Sequence, residues 1–551
     1  GTWYAHASVG CLHVRPVVNL KEEAGAKQMR AMAEEAFAMV REYKGSHSGE
    51  HGDGLVRSEF HLPMFGQRMV DNFAEVKNIL DPTCLFNPGK IVAPPKMDDR
   101  RLFRFKPDHQ TPVMETGLDW SAWGGFARAA EMCNNNGACR KLDLAGVMCP
   151  SFKVTRDEAH VTRGRANLLR LGVSGQLGAA ALHSDAMAEA MSLCVGCKGC
   201  KRECPVGVDM AAMKIEVQYQ RAKKSGISLH DRLVAYLPRY APIAARLAPL
   251  LNLRDRLPGL AWLSEKLFGF TAKRTLPKWR RDTFQPEQNA YGPMQGAEVV
   301  LFADTFNSTF ERENLDAAID VLVAAGRRVH IAQAQSEIDN DRPVYRPVYR
   351  PLCCGRTFLS AGLVDQARAE MTRTVTALAP FVARGLPVLG LEPSCLLALR
   401  DEFLSVLPGE QTQALAGQAM LLEEYLATEH EAGRLDLNLA ATGKVLLHGH
   451  CHQKAHQTMP AMNTALGLLP DIDATTVPSS CCGMAGAFGY GADTYEVSQA
   501  MAEASLLPAV RDANPATTLI ANGTSCRQQI KHGSGRDAVH MVQVLRRALT
   551  N

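Results

Sequence analysis

No stretch of about 18 uncharged apolar residues occurs in the 551-residue chain, which excludes a membrane-spanning helix. Charge of one sign is not in excess either. The 61 basic and 57 acidic side chains leave a formal charge of +4, so neither nucleic-acid binding nor a membrane-surface role follows from charge. The 16 cysteines are not spaced in the even pairs of a secreted disulfide scaffold. They gather in runs, which reads as metal chemistry in a reducing compartment, the cytosol. A signal-peptide pattern is absent, and the opening Gly1-Thr2-Trp3-Tyr4 has no Met, so the expectation is a chain that begins in mid-domain. Hydrophobic residues make up 46%, enough for several packed cores, and the length suggests roughly three or four domains.

What is present is dominated by two cysteine runs. Cys194, Cys197, Cys200 and Cys204-Pro205 follow the C-x2-C-x2-C-x3-C-P spacing that wraps a [4Fe-4S] cubane; a looser run lies upstream at Cys133, Cys139 and Cys149-Pro150. Two tight turns offer three thiolates to one iron face, and the thiolate before proline characteristically reaches the other cluster of a two-cluster fold. That logic groups Cys194, Cys197 and Cys200 with Cys149, and Cys133 and Cys139 with Cys204. The second set is one thiolate short, because Asn136 stands where a middle cysteine would fall. A three-iron cluster, a non-cysteine ligand and a single-cluster protein all stay open. Zinc also uses C-x2-C pairs, but four cysteines this close, ending in Cys-Pro, favour iron-sulfur. The neighbouring Lys198, Lys201, Arg202, Arg140 and Lys141 are expected to balance cluster and thiolate charge.

Residues 1–95 read as the end of an α+β domain. A hairpin through Trp3 and Tyr4 turns near Gly10 and returns through Leu12, Val14 and Val18. Helices are expected from about Lys21 to Tyr43 and through Met69, Phe73, Val76 and Leu80, where Asp81-Pro82 stops the second. Residues 96–112 are polar and basic, a linker. An α-helical iron-sulfur domain follows over 113–225, then a helical linker over 226–290. Within that linker the apolar stretch from Leu233 to Phe270 is punctuated by Pro238, Pro242, Pro249 and Pro258, which predicts short amphipathic helices packed between domains and leaves peripheral membrane contact open.

The last 260 or so residues, 291–551, contain an internal duplication. In the first lobe, about 296–410, Cys353-Cys354-Gly355 precedes an apolar strand, Leu386 to Leu391, that ends in Glu392-Pro393-Ser394-Cys395. In the second, about 440–551, Cys481-Cys482-Gly483 precedes Thr518 to Ala521, which ends in Gly523-Thr524-Ser525-Cys526. Each final cysteine sits at a predicted helix N-terminus, where the dipole is expected to lower the thiol pKa. Open α/β sheets place ligands at the carboxyl ends of their strands. Cys353, Cys354, Cys395, Cys451, Cys481, Cys482 and Cys526 are therefore expected to converge between the lobes as a second redox or metal site. For Cys11 and Cys84 the expectation is ordinary burial in a core.

His6 and His13 flank the predicted turn, so a hairpin could bring their imidazoles together and Glu50 from a Gly-rich loop could add an oxygen ligand, while the residues alone leave open a structural or solvated role for each histidine. Two nitrogens and a carboxylate with open positions suit zinc or manganese acting as a Lewis acid on a hydroxyl. His51 beside them has the intrinsic pKa of a general base.

Ser48-Gly49-Glu50-His51-Gly52-Asp53-Gly54, the pair His6 and His13, and the segment Leu80 to Ile91 resemble the C-terminal part of the FAD-linked oxidases of the vanillyl-alcohol-oxidase fold. The branch is that of glycolate oxidase, D-lactate dehydrogenase and D-2-hydroxyglutarate dehydrogenase. The cysteine runs are similar to the iron-sulfur subunit of glycolate oxidase and to the cysteine-rich subunits of heterodisulfide reductase. The resemblance implies an architecture of three parts: the end of a cap domain of the oxidase fold, an α-helical ferredoxin-type domain, and a duplicated α/β cysteine-rich domain. It also implies His6, His13 and Glu50 as ligands of a divalent metal, His51 as the base, Asn87 and Lys90 at the flavin, and Arg15 as a clamp for a substrate carboxylate. The main FAD-binding domain would precede Gly1. Ser8, Val9 and Cys11 stand where relatives carry Gly, Asp and Asn. Glu392 and Gly523 replace the first cysteine of the closing C-x2-C in each lobe, and the opening cysteine of lobe one is missing around Asp304, Thr305 and Asn307.

The activity so implied is oxidation of a D-2-hydroxy acid, D-2-hydroxyglutarate first and D-lactate or glycolate next, with electrons leaving through the clusters to a quinone or protein acceptor. The rival is an electron-transfer subunit without hydroxyacid activity. A structural zinc protein is the third.

Overall fold

In the computed structural model, residues 1–48, 52–107, 109–334 and 349–550 are described, and the chain divides into two units, Gly1–Thr111 and Pro112–Asn551. Glu50 and His51 lie outside the described residues.

The first unit begins with β1 (Thr2–His6) and β2 (Cys11–Arg15), an antiparallel pair with Tyr4 opposite His13 and His6 opposite Cys11. Gly10, at φ 65°, makes the left-handed turn between them. Strand alternation puts Tyr4, His6, Cys11, His13 and Arg15 on one face and Trp3, Ala5, Leu12 and Val14 on the other. Helices Glu23–Glu42 and Gln67–Leu80 follow at the expected places, with Asp81 ending the second. Its carboxylate accepts the amides of Leu85 and Phe86, which starts the turn beyond it. Cys84 departs from expectation: it is exposed, at φ 53°, in that turn and not in a core. Cys11 is only half-buried, because the strand carrying it has no layer over its faces among the described residues of this unit.

The second unit is helical at first. Phe126–Glu131, Pro150–Thr155, Thr162–Val173, Asp185–Ser192, Gly199–Glu203 and Met210–Ser225 surround the cysteine turns. The proline-punctuated stretch forms Leu229–Ala235, Leu237–Arg246, Ala248–Leu251 and Leu260–Phe268. Its expected packing between domains is incomplete. Ile243, Leu250, Trp262 and Leu267 are 58–63% exposed, so one side of these helices faces solvent.

Two sheets complete this unit. The first contains β3 (Ala290–Tyr291), β4 (Ala297–Leu301), β5 (Arg327–Ile331), β6 (Val388–Gly390) and β7 (Ala419–Leu421) in the order β3-β5-β4-β6-β7, parallel except for β3. The second contains β8 (Gly443–Leu447), β9 (Ile472–Thr476), β10 (Thr518–Ile520) and β11 (Ala538–Val539) in the order β11-β10-β8-β9, all parallel. Val299, Val300 and Leu301 are wholly buried, as strands covered on both faces require. One core joins the two lobes through Leu301, Leu389, Leu422, Leu447, Ile520 and Met541. Another joins the cysteine-turn helices to the first lobe through Met148, Phe152, Leu169, Phe358 and Leu396. These shared cores hold the thiol-bearing loops of both regions in fixed relation.

Candidate functional site

Cys149, Cys194, Cys197 and Cys200 line one cavity, together with Thr162, Arg165 and Met210. The turn that presents them needs unusual backbone: Gly196 and Lys198 lie at φ 59° and 61°, and Cys149 at φ 53°. Gly199 is required for a different reason, since a β-carbon there would meet the Met148 amide nitrogen at 2.8 Å. Thr162 supports Cys149, its amide donating to Sγ at 3.2 Å and its hydroxyl lying 3.0 Å away. Burial pushes the Cys149 thiol up to about 11, and burial also raises Cys197 and Cys200 well above the ordinary value. Four thiols around one cavity, with Arg165 buried beside them, fit a soft metal cluster whose iron offsets the cost of holding thiolates out of water.

Cys204 does not line that cavity. The turn Ala138–Arg140, which carries Cys139, packs on helix Gly199–Glu203 that leads into Cys204. Cys133 and Cys139 are both buried, and each raises the pKa of the nearby Arg163 guanidinium. Asn136 is exposed and spends its side-chain oxygen on the Ala138 amide at 2.8 Å. Asn135, not Asn136, is the amide near a thiol, at 3.9 Å from Cys133 Sγ.

The two Cys-Cys-Gly segments share local geometry. Gly355 donates its amide to Cys353 Sγ and Gly483 to Cys481 Sγ, both at 3.4 Å. Both glycines are left-handed, at φ 75° and 82°. A β-carbon on Gly483 would meet the Ser498 carbonyl oxygen at 2.2 Å. The seven cysteines form two groups. Cys354 Sγ lies 3.3 Å from Cys395 Sγ, with buried Asp304 raising the Cys395 pKa. In the second lobe, His448, Cys482 and Cys526 offer donor atoms within 4.8 Å of one another, and His448 Nε2 is buried without a hydrogen-bond partner.

Arg356 and Glu392 stand between the groups. Cys354, Cys395 and Cys451 all raise the Arg356 pKa, and Glu392 Oε2 accepts the Thr524 amide at 2.8 Å. Thus the Glu392 carboxylate ties down the loop that leads into Cys526.

The expected lowering of Cys395 and Cys526 at helix N-termini is absent. Cys395 is held down by a hydrogen bond with Cys354, yet burial and the charges of Asp304 and Glu392 outweigh this and push it up to about 12. Cys526 is raised first by its hydrogen bond to Cys482 and then by burial. The lowered thiols are instead Cys451, through a hydrogen bond from Cys481, and Cys482, through Cys481, Cys526 and His448.

Cys451 and Cys481 share a buried cluster with Cys197 and Val147. The turn that carries Cys197 therefore borders the second lobe's thiols directly. Burial and Arg356 keep His452 neutral, and its Nε2 lies 3.1 Å from the Gly196 carbonyl oxygen. The expected role of Lys198 and Lys201 changes accordingly. Lys198 pairs with Asp401 and Glu402, and Lys201 with Asp401 and Asp209, so carboxylates match them and not thiolates. Arg140 pairs with Glu158. Among the cations beside the thiols are Arg163, Arg165, Arg356 and Lys454, and Arg356 directly follows the Cys353-Cys354-Gly355 segment.

On the hairpin face of the first unit, the rings of His6 and His13 are 4.6 Å apart. Tyr4 stacks on His13 at 4.7 Å, and the Arg15 guanidinium lies 5.0 Å over Tyr4. Two imidazoles and a guanidinium therefore share one surface. Asn87 and Lys90 lie in an exposed turn, Lys90 Nζ donating to Asn87 Oδ1 at 3.2 Å.

Two family models match parts of the chain. Residues 1–91 match the family model of FAD linked oxidases, C-terminal domain. Residues 129–208, which span all seven cysteines from Cys133 to Cys204, match that of the 4Fe-4S dicluster domain. The D-2-hydroxyglutarate dehydrogenases of Escherichia coli K12 and Pseudomonas putida KT2440 are each 28% identical over 98% of this chain and 55% of their own length. The chain thus spans about half the length of these curated relatives. One subunit of the anaerobic glycerol-3-phosphate dehydrogenase of Escherichia coli K12 is 25% identical over 60% of this chain and 81% of its own length. No solved structure matches.

Proposed function

We propose that the chain is the C-terminal portion of an FAD- and iron-sulfur-dependent dehydrogenase of D-2-hydroxy acids, D-2-hydroxyglutarate first. The observation that carries this reading is the hairpin face on which His6, His13 and Arg15 converge. Imidazoles and a guanidinium on one surface suit an α-hydroxy carboxylate: nitrogen ligands for a metal at the hydroxyl, and a bidentate donor for a carboxylate. When bound, FAD supplies a hydride acceptor, a zinc or manganese ion a Lewis acid, and the iron-sulfur centres a path for single electrons. His6 and His13, with Glu50, hold the ion, and Arg15 orients the substrate. His51 takes the hydroxyl proton as the substrate carbon gives up hydride, leaving the 2-oxo acid. Asn87 and Lys90 contact the flavin, most of which is held by the part of the relatives that this chain does not span.

Cys149, Cys194, Cys197 and Cys200 hold one [4Fe-4S] cluster, and Cys133, Cys139 and Cys204 take part in a second. The thiols around Cys451 and Cys482, bordering Cys197, form a further redox or metal site on the way to a quinone or protein acceptor. Among the described residues no helix is long and apolar enough to cross a membrane. Contact with a bilayer is assigned to the solvent-facing side of helices Leu237–Arg246 and Leu260–Phe268, where exposed apolar side chains stand near Arg246 and Lys266. A second reading, an electron-transfer subunit without hydroxyacid activity, is favoured by the match to the glycerol-3-phosphate dehydrogenase component over 81% of that protein.

The deciding experiment is anaerobic mixing of the full-length protein with D-2-hydroxyglutarate while flavin and iron-sulfur absorbance are followed. Bleaching of both supports the dehydrogenase. A silent flavin beside dithionite-reducible clusters moves the substrate to D-lactate or glycolate, and silence with all three favours the electron-transfer subunit.

A further inference from the structure

The first unit holds a second group of ligand-type side chains, made of residues other than the hairpin histidines. His47 follows helix Glu23–Glu42, Asp53 precedes the short helix Gly54–Arg57, and His61 opens helix His61–Phe65. The His47 side chain is 0% exposed, its ring edge-on to Phe37 at 5.2 Å and 5.6 Å from that of His61. Its Nε2 faces Asp53 Oδ1 at 3.7 Å, and the other oxygen of Asp53 lies 2.7 Å from His61 Nε2.

Among the described residues, four buried polar atoms in this group have no hydrogen-bond partner: both ring nitrogens of His47, Nδ1 of His61 and Oδ1 of Asp53. Leaving such atoms unsatisfied costs about 1–3 kcal/mol each, and buried imidazoles in native proteins normally avoid it. The 3.7 Å separation is too long for a hydrogen bond. It is close to the spacing of two donors on one tetrahedral ion, about 3.3–3.4 Å for bonds of about 2.0–2.1 Å. The three residues offer donors that all lie within 4.8 Å of one another.

We propose that His47, Asp53 and His61 form a divalent-cation site of the zinc or manganese class, in addition to the ion assigned to the hairpin face. Two imidazoles and a carboxylate are a donor set that such ions accept, with the remaining positions open to water. The hydrogen bond between His61 Nε2 and Asp53 Oδ2 is the contact that the ion would replace. Arg57 opposes the site, since its charge acts on His47, so the carboxylate of Asp53 is the group that makes cation binding favourable there. In sequence, His47 and Asp53 bracket residues 48–52, which include Glu50 and His51. An ion held by both fixes the two ends of the segment that carries the proposed base, and His61 anchors them to the helix beyond.

The test is zinc content of the full-length protein after equilibrium dialysis in buffered zinc, read as differences between variants so that thiol-bound zinc cancels. Asp53→Asn, which preserves volume, and His47→Gln/His61→Gln should each lower the count by one equivalent, with iron content and far-UV circular dichroism unchanged. His6→Ala/His13→Ala should lower it by a separate equivalent, and the combined variant by two. Wild-type zinc content in both Asp53→Asn and His47→Gln/His61→Gln overturns the site. If only His6→Ala/His13→Ala loses zinc, this inference fails while the hairpin metal stands; if only the Asp53 and His47/His61 variants lose it, the reverse holds.

Discussion

Lys198 Nζ lies 2.7 Å from Asp401 Oδ2, joining the turn between Cys197 and Cys200 to the start of the first lobe's helix Glu402–Val406. Glu402 meets the same ammonium and also accepts from Arg356 at 2.8 Å. The lysine side chain is 5% exposed, so this is a buried latch and not a surface ion pair. Replacing Lys198 by Met removes one of two cations from each buried carboxylate, Lys201 staying with Asp401 and Arg356 with Glu402, a loss of about 1.5–3 kcal/mol. Chemical denaturation of the Lys198→Met protein should show that destabilisation, with faster loss of iron to a chelator. Wild-type stability and iron retention would sink the latch.

Much of this was legible in the chain, and for identifiable reasons. The hairpin through His6 and His13 follows from period-two alternation about Gly10, and the helix ending at Asp81 from a stop signal. The grouping of Cys149 with Cys194, Cys197 and Cys200 follows from turn spacing together with the habit of a thiolate before proline of reaching the other cluster. The two Cys-Cys-Gly segments share a left-handed glycine, Gly355 and Gly483, which is why both keep the same residue type at that place. What escaped depends on contacts remote in sequence. The bordering of Cys197 by Cys451, and the pairing of Lys198 with residues some 200 positions away, carry no local signal. The thiol pKa values at Cys395 and Cys526 were misjudged because a helix terminus is local while burial and neighbouring thiols are not.

Arg15 provides a specific test of the hairpin face. Its guanidinium sits over Tyr4, whose ring stacks on His13. Lysine in its place keeps the charge and loses the bidentate fork. In the full-length protein Arg15→Lys should raise KM for the hydroxy acid about tenfold or more, the scale of one charged hydrogen bond, with a smaller change in kcat. Steady-state kinetics with unchanged KM would remove Arg15 from the substrate site.

The solvent-facing side of the proline-punctuated helices makes a prediction about membranes. Ile243 is 60% exposed and Trp262 59%, with arginines and lysines on the same short helices. A bilayer surface with anionic headgroups satisfies both kinds of side chain. The protein should float with vesicles containing phosphatidylglycerol and much less with pure phosphatidylcholine. Ile243→Glu/Trp262→Glu should cut binding about tenfold or more, given roughly 1.5–3 kcal/mol for each large apolar side chain buried. Equal flotation of variant and wild type would exclude this surface.

Glu423 links the second lobe's thiol loop to pH. It is wholly buried on helix Leu422–Glu431, and its Oε1 accepts from Gln453 and, at 3.1 Å, from Asn522. Gln453 in turn accepts the His450 amide at 3.0 Å, one residue before Cys451. Glu423 Oε2 has no partner among the described residues. Burial raises this carboxyl from 4.5 to about 7, with Glu424 adding to the shift and the amides of Asn522 and Gln453 opposing it. Between those two values the folded protein keeps a proton that the unfolded chain has lost, so stability falls as pH rises through that interval. The difference amounts to roughly 3 kcal/mol above pH 7, as an order of magnitude. Glutamine keeps the accepting oxygen and cannot ionise. Comparing urea midpoints at pH 5 and 8, Glu423→Gln should lose less stability than wild type on going to the higher pH, the loss that stays including that of buried Asp304, which burial also raises to about 7. Identical pH slopes would mean that Glu423 titrates normally and that the loop before Cys451 is held by other contacts.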